Sequence, residues 1–390
     1  MPHRNPRARA ADLLARRGLD AALFTAPATV TWLTGFAPPL QVGANPFLGN
    51  PAYVWYRDGH FTCLLQDAHA AAQESLAADP DVTVIPYVGY TLDRPITVAE
   101  NVRAALGQVL KTAPPGSATG VERDHAPAPL ADLVARAAGE VTAIDGWFEP
   151  LRMVKTDEEV TKLRRAFELT DVGHAAARRA VAIGVREIDV WTEVHAAVER
   201  HAGRRIALGN DCVVGRRDAN SGGWPETHEL RDVDSLIVDL SARFDGYWSD
   251  SCATYVSGAP TDRQREIHGV VAGALEHAIS LVRPGVRASE IDRATRAFVA
   301  DAGWPVYPHH SGHSVGTTVH EAPRLAPYDD TALATGMVIL LEPGIYLPGE
   351  TGVRLEDAVL VTDEGAEVLT HHDKSLDGGG SAASSGRENR

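Results

Sequence analysis

Apolar and polar positions change rhythm along the chain, and the changes mark its parts. Short apolar runs at AALFTAP (21–27) and VTVIPYV (82–88) read as strands, and VWYRDGHFTCLL (54–65) as one strand or a hairpin. Helical spacing appears near 5–18, 68–78, 97–111 and 127–138; in the first stretch Ala10, Ala11, Leu13, Leu14 and Leu19 share a face. These elements predict a smaller α/β domain over residues 1–150. At Val154 the texture shifts. Thr156 and Glu159 have capping-box spacing, with Asp157 and Glu158 in the first turn, so a long helix is predicted to about Ala182. It opens a second domain over 151–373. The stretch GGGSAASSGREN (378–389) is too polar to bury a core, and residues 374–390 are expected to form a flexible tail.

The second domain carries a faint repeat. Gly184-Val185-Arg186 leads into Glu187-Ile188-Asp189, and Gly285-Val286-Arg287 leads, two residues later, into Glu290-Ile291-Asp292. Each copy reads as helix, turn, helix and antiparallel strand pair. Aligning Ile188 with Ile291 gives an offset of 103, which carries Asp239 onto Glu342. Both acids end apolar strands, LIVD (236–239) and VILLE (338–342). The reading is two related halves that face one another and supply carboxylates to a shared centre. The expected fold class is α+β, with duplicated α-α-β-β halves in the larger domain.

Composition limits the partners. The chain has 390 residues, 52 acidic against 37 basic, and a formal charge of −15, which argues against nucleic acid or an anionic membrane as partner. No apolar stretch approaches membrane-spanning length. Cys63, Cys212 and Cys252 are far apart and odd in number, which fits a reducing compartment, and a cytoplasmic protein is expected. The Arg-rich N-terminus imitates a transit peptide but reads better as the first amphipathic helix.

Four acids stand where apolar strands discourage them: Asp239, Asp250 in GYWSDSCATYV, Glu342, and Glu356 in GVRLEDAVLVT. Alternation places Arg354 and Glu356 on one face of a single strand. Burying one bare carboxylate costs several kcal/mol, so four together call for cations unless arginines or solvent neutralise them. Four histidines (309, 310, 313, 320) crowd the adjacent stretch, and His313 adds a nitrogen ligand. Four carboxylates and one imidazole suit two divalent cations, Mn²⁺ first, with Co²⁺ or Zn²⁺ as alternatives. Such a pair activates water and polarises a carbonyl, which predicts metal-assisted amide hydrolysis.

The order and spacing of Asp239, Asp250, His313, Glu342 and Glu356 resemble the five ligands of the pita-bread metallopeptidases: methionine aminopeptidase, aminopeptidase P and prolidase, with creatinase as a non-metal relative. The phrases that carry the likeness are VDLSARFDGYWSD, SGHSVGTTVHEAP, GMVILLEPGIY and GVRLEDAVLVT; TWLTGF (31–36) resembles the prolidase and aminopeptidase P lid domain. The resemblance implies that Asp239 binds one metal, Asp250 and Glu356 bridge both, and His313 and Glu342 bind the second. It implies that Glu342 relays a proton and that His320 lines the pocket and stabilises the oxyanion. His309, Arg324 and Tyr328 would contact substrate, with Arg324 or Tyr328 holding a proline carboxylate, while Arg354 and Cys252 would support the ligands. A separate N-terminal domain sets methionine aminopeptidase aside. An Xaa-Pro dipeptidase acting as a homodimer is the expectation, with aminopeptidase P, acting on longer peptides, as the alternative.

Two positions depart from the family. Gly222 stands where a substrate-facing histidine is usual, with His228 displaced downstream, and Cys252 replaces a threonine. Two other readings compete. Gly312-His313-Ser314-Val315-Gly316 matches a nucleophile elbow, with Asp357 and His371 following in triad order, but no helical pattern follows Ser314. A catalytically inactive binding protein on the same fold should have lost ligands, and all five are present.

Overall fold

The computed structural model describes residues 5–37, 52–89, 91–95, 97–209, 211–217 and 222–378. The chain divides into two compact units, which meet in sequence between Arg152 and Met153.

The first unit is a six-stranded mixed sheet with helices. Its elements are α1 (Pro6–Arg16), β1 (Ala21–Phe24), α2 (Pro27–Thr34), β2 (Tyr53–Arg57), β3 (His60–Gln66), α3 (Ala70–Ala77), β4 (Val82–Tyr87), α4 (Val98–Thr112), β5 (Thr119–Val121), α5 (Ala128–Ala138) and β6 (Val141–Ala143). The strand order is β4-β3-β2-β1-β5-β6. The 54–65 run is a hairpin. The strand expected over 21–27 ends at Phe24, because Pro27 begins α2 and proline suits a first helical turn. Glu122 anchors that helix: its Oε2 accepts the N–H of Thr25 and of Ala26, each at 2.8 Å.

A short α6 (Glu149–Met153) precedes the second unit. There α7 (Asp157–Ala180) begins with the expected box: Glu159 N–H donates to Thr156 Oγ1 at 3.2 Å, and Thr156 N–H donates to Glu159 Oε2 at 2.8 Å. α8 (Glu187–Ala202), β7 (Ala207–Gly209), β8 (Cys212–Val214), β9 (Ser235–Phe244), β10 (Tyr247–Trp248) and β11 (Ser251–Val256) complete one half. The other contains α9 (Asp262–Leu281), α10 (Ala288–Asp301), β12 (Gly312–Ser314), β13 (Glu321–Leu325), β14 (Val338–Leu341), β15 (Gly344–Leu347), β16 (Thr351–Arg354), β17 (Asp357–Thr362) and β18 (Gly365–Val368).

The repeat is visible in backbone hydrogen bonds. Gly184 and Gly285 adopt left-handed φ of 82° and 89°, the conformation glycine takes without a Cβ clash. Gly184 N–H donates to Leu230 O and Gly285 N–H to Leu333 O, both at 2.8 Å, and these acceptors again lie 103 apart. α9 repeats the box with Thr261 and Gln264. Within each half an antiparallel pair (β9 with β11, β14 with β17) brings its acids toward one end.

Two expectations need correction. GVRLEDAVLVT is two strands: β16 pairs with β15, β17 pairs with β14, and Leu355 and Glu356 lie in the break. The residues expected to open the loose tail are held instead. Lys374 Nζ donates to Asp357 Oδ1 at 2.7 Å, Leu376 is buried, and Asp377 bridges Val256. Residues 379–390 lie outside the described residues. No helix among the described residues is long and apolar enough to cross a membrane.

Candidate metal centre

Asp239 lies within β9, whereas Asp250, Glu342 and Glu356 occupy strand ends, where the ladder no longer fixes the backbone. The break before β17 lets Glu356 N–H donate to Cys252 O at 2.9 Å, tying the second half to the first. Gly312, at φ 154° with no room for a Cβ against Leu340 O, carries the chain to His313 on β12.

These five side chains converge on a cavity of 160 Å³, lined also by Asp211, His309, His310, His320 and Arg354. Their ligand atoms form close groups: Asp239, Asp250 and Glu356 in one, and His313, Glu342 and Glu356 in another, with Asp250, His313 and His320 in a third. His313 Nε2 is 3.7 Å from both Asp250 Oδ2 and Glu342 Oε1. His313 Nδ1 donates to Ser314 O at 2.9 Å, so a neutral ring turns the lone pair of Nε2 toward the carboxylates. Both oxygens of Glu356 are buried without a hydrogen-bond partner. Lone pairs therefore face lone pairs, an arrangement that repels itself and fits divalent cations held between the groups.

The electrostatics agree. Burial, then the neighbouring Asp239, pushes the Asp250 carboxyl well above its usual range, and burial with Asp250 and Asp239 does the same to Glu356. Burial raises Asp239 to about 6 against the pull of Arg354. For Glu342 burial acts upward, but His310, His313 and His309 outweigh it and hold the carboxyl at about 2. Burial lowers His313 to about 3, and burial with Arg324 lowers His320 to about 4.

Arg354 Nη2 lies 2.5 Å from Asp211 Oδ2 and 2.9 Å from Asp239 Oδ2, and Nη1 donates to Tyr346 OH at 3.3 Å. Tyr346 OH meets His309 Nε2 at 2.8 Å. Cys252 Sγ is buried, 3.7 Å from Arg354 O. His320 reaches solvent at the mouth of the cavity while the surrounding protein still desolvates its ring, which stands edge-on to His313 with centroids 4.1 Å apart. Arg324 Nη1 donates to His310 Nε2 at 3.2 Å. Tyr328 is 78% exposed.

Asp211 and His310 are the lining residues that sequence reasoning missed. His310 had a signal in the histidine cluster; Asp211 had none beyond an acid beside an apolar run. Asp211 also explains Gly222. A Cβ at residue 222 would sit 1.6 Å from Asp211 Oδ2, and φ there is +87°. A histidine there would have to displace the Asp211 carboxylate and hold a left-handed backbone. His228 does not take its place: it lines a separate cavity with Arg216, Glu229 and Arg231.

The serine elbow fails in detail. Ser314 ends a strand that an irregular bend, not a helix, follows, and its Oγ has no hydrogen-bond partner. Asp357 engages Thr370 Oγ1 and Lys374 Nζ instead of a histidine.

Comparison with known proteins places this geometry. Residues 161–363 match the model of Metallopeptidase family M24, and residues 6–154 match the Creatinase/Prolidase N-terminal domain. The Xaa-Pro dipeptidase of Pyrococcus furiosus is 37% identical over 238 residues, 61% of this chain and 68% of that protein. The Xaa-Pro dipeptidase of Lactobacillus delbrueckii subsp. lactis is 30% identical over 377 residues, covering 93% and 96%. The prolidase structure from Pyrococcus horikoshii OT3 superposes with a TM-score of 0.80 at 26% identity, covering 96% of this chain and all of that one. With a family match across more than half of its length and a relative 30% identical over 93% of it, the chain belongs to metallopeptidase family M24.

Proposed function

We propose that this protein is an Xaa-Pro dipeptidase, hydrolysing the bond before proline in dipeptides. The observation that carries the reading is the buried convergence of acceptor atoms from Asp239, Asp250, His313, Glu342 and Glu356 on one cavity. Relatives named Xaa-Pro dipeptidase, one of them aligned over 93% of this chain, support the substrate class.

Asp239, Asp250 and Glu356 would hold one divalent cation, and His313, Glu342 and Glu356 the other, with Asp250 shared as well. Bound there, the ions supply Lewis acidity to the scissile carbonyl and lower the pKa of water. Glu342 accepts a proton from the nucleophile at a carboxylate oxygen and passes it to the departing proline nitrogen. His320, kept neutral by partial desolvation and by the Arg324 charge, donates an N–H to the developing oxyanion. Arg354 opposes the upward push of burial on the Asp239 carboxyl. His309 faces substrate from the cavity wall, and Arg324 with Tyr328 receives the proline carboxylate at the rim. We assign residues 1–150 as a lid and dimerisation domain and residues 151–373 as the catalytic domain of a homodimer. Mn²⁺ suits the oxygen-rich donor set, with Co²⁺ or Zn²⁺ as substitutes. Three buried free thiols suit the cytoplasm.

The test compares Ala-Pro with Ala-Pro-Gly after chelation and restoration of Mn²⁺. Ala-Pro should be cleaved faster by about tenfold or more, the discrimination that one charge-assisted contact supplies. Equal or faster tripeptide cleavage would instead identify an aminopeptidase P, and full activity in excess chelator would remove the metal.

A further inference from the structure

We propose that His310 is a positioning residue that joins Arg324 to Glu342 and orients the carboxylate that carries the proton. The proposal rests on the reading of Glu342 given above.

A guanidinium has donors and no acceptor. With Arg324 Nη1 at 3.2 Å, His310 Nε2 must accept, and the neutral ring then carries its hydrogen on Nδ1. That atom lies 3.0 Å from Glu342 Oε1. Both atoms are buried and neither is hydrogen-bonded elsewhere, so a small rotation of the ring aligns them with each other. The other two imidazoles beside Glu342 are committed differently. His309 Nδ1 pairs with His310 O at 2.8 Å while its Nε2 meets Tyr346 OH, and His313 Nδ1 faces Ser314 O. Of these three rings, His310 is the one that presents an N–H to the carboxylate.

One oxygen of Glu342 is thereby held from the protein side, which leaves the other for the proton. The arrangement also places Arg324 one imidazole away from the proton carrier. Arg324 stands opposite His313 across the β12–β13 ladder, so a shift of its guanidinium reaches Glu342 through His310 without moving the strands. Loss of Arg324 should then lower kcat as well as raise KM.

His310→Ala should lower kcat on Ala-Pro by about 10- to 100-fold, the range for one hydrogen bond to a charged group, with KM within about twofold. Bound Mn²⁺, measured by elemental analysis, should stay unchanged. His310→Asn, which restores an N–H near the Nδ1 position, should recover a substantial part of kcat and keeps the test open if the alanine variant folds poorly. Arg324→Ala combined with His310→Ala should lose less kcat than the product of the single losses. Unchanged kcat in His310→Ala, a loss matched by lost Mn²⁺, no recovery in His310→Asn, or full additivity would each overturn the proposal. Glu342→Gln separates the two readings. If it retains turnover, the underlying role of Glu342 falls; if it is dead while His310→Ala is fully active, only the present proposal falls.

Discussion

From Gly184 to Val256 and from Gly285 to Thr362 the chain builds one frame twice: a left-handed glycine, a helix, and an antiparallel strand pair with acids at its end. The side chains that fill the two frames differ. The first half brings Asp239 and Asp250, carboxylates supported by Ser241 and by an arginine from the other half. The second brings Glu342 and Glu356 together with all four clustered histidines. Duplication explains why the carboxylates meet, and divergence explains why the two candidate positions are chemically unequal. One is ringed by three carboxylates and the other includes an imidazole.

The comparison breaks most severely at Glu356, the residue common to both groups. Glu356→Gln should reduce turnover by about 10³ or more, since it weakens a several-kcal/mol electrostatic contribution at both positions. Calorimetric titration should find both Mn²⁺ equivalents weakened, whereas His313→Ala should weaken one. Equal effects from the two variants would mean that the positions are not distinct.

Acidity acts next. Asp239 sits near pKa 6 without cations, because burial opposes its charge, so below that pH a cation must displace a proton to bind. Mn²⁺ affinity should therefore fall as pH drops from 7 to 5, by up to about tenfold per pH unit for each proton released. Titrations in two buffers of different ionisation enthalpy would count those protons, and an affinity independent of pH would contradict the crowded-carboxylate account.

The scaffold itself offers the smallest and most symmetrical test. The boxes at Thr156 and Thr261 have the same 3.2 Å bond to the third helical N–H. Thr156→Ala and Thr261→Ala should each cost about 1 kcal/mol in denaturant unfolding. A difference much larger than that would show that the two frames are not energetically equivalent.

Much of this architecture could be read from residue order. Acids embedded in apolar runs are costly enough to be conspicuous, and the 103-residue offset links Asp239 to Glu342 in residue order alone. The long capped helix was legible because its cap is local. Three features were not, each for a physical reason. β5 and β6 are three-residue strands, too short to show a period. The break at Leu355–Glu356 arises where Glu356 N–H leaves its own hairpin for Cys252 O, a competition invisible in alternation. Asp211 matters because Arg354 approaches it from 143 residues away, and that contact exists only after folding.

The bond between Glu356 and Cys252 also fixes when the centre can exist. Asp239 and Asp250 emerge together during synthesis, but Glu356 follows Asp250 by 106 residues. At about 5–20 residues per second, the first carboxylate pair waits roughly 5–20 s for the residue that completes it. The centre is thus among the last parts of the chain that synthesis can complete.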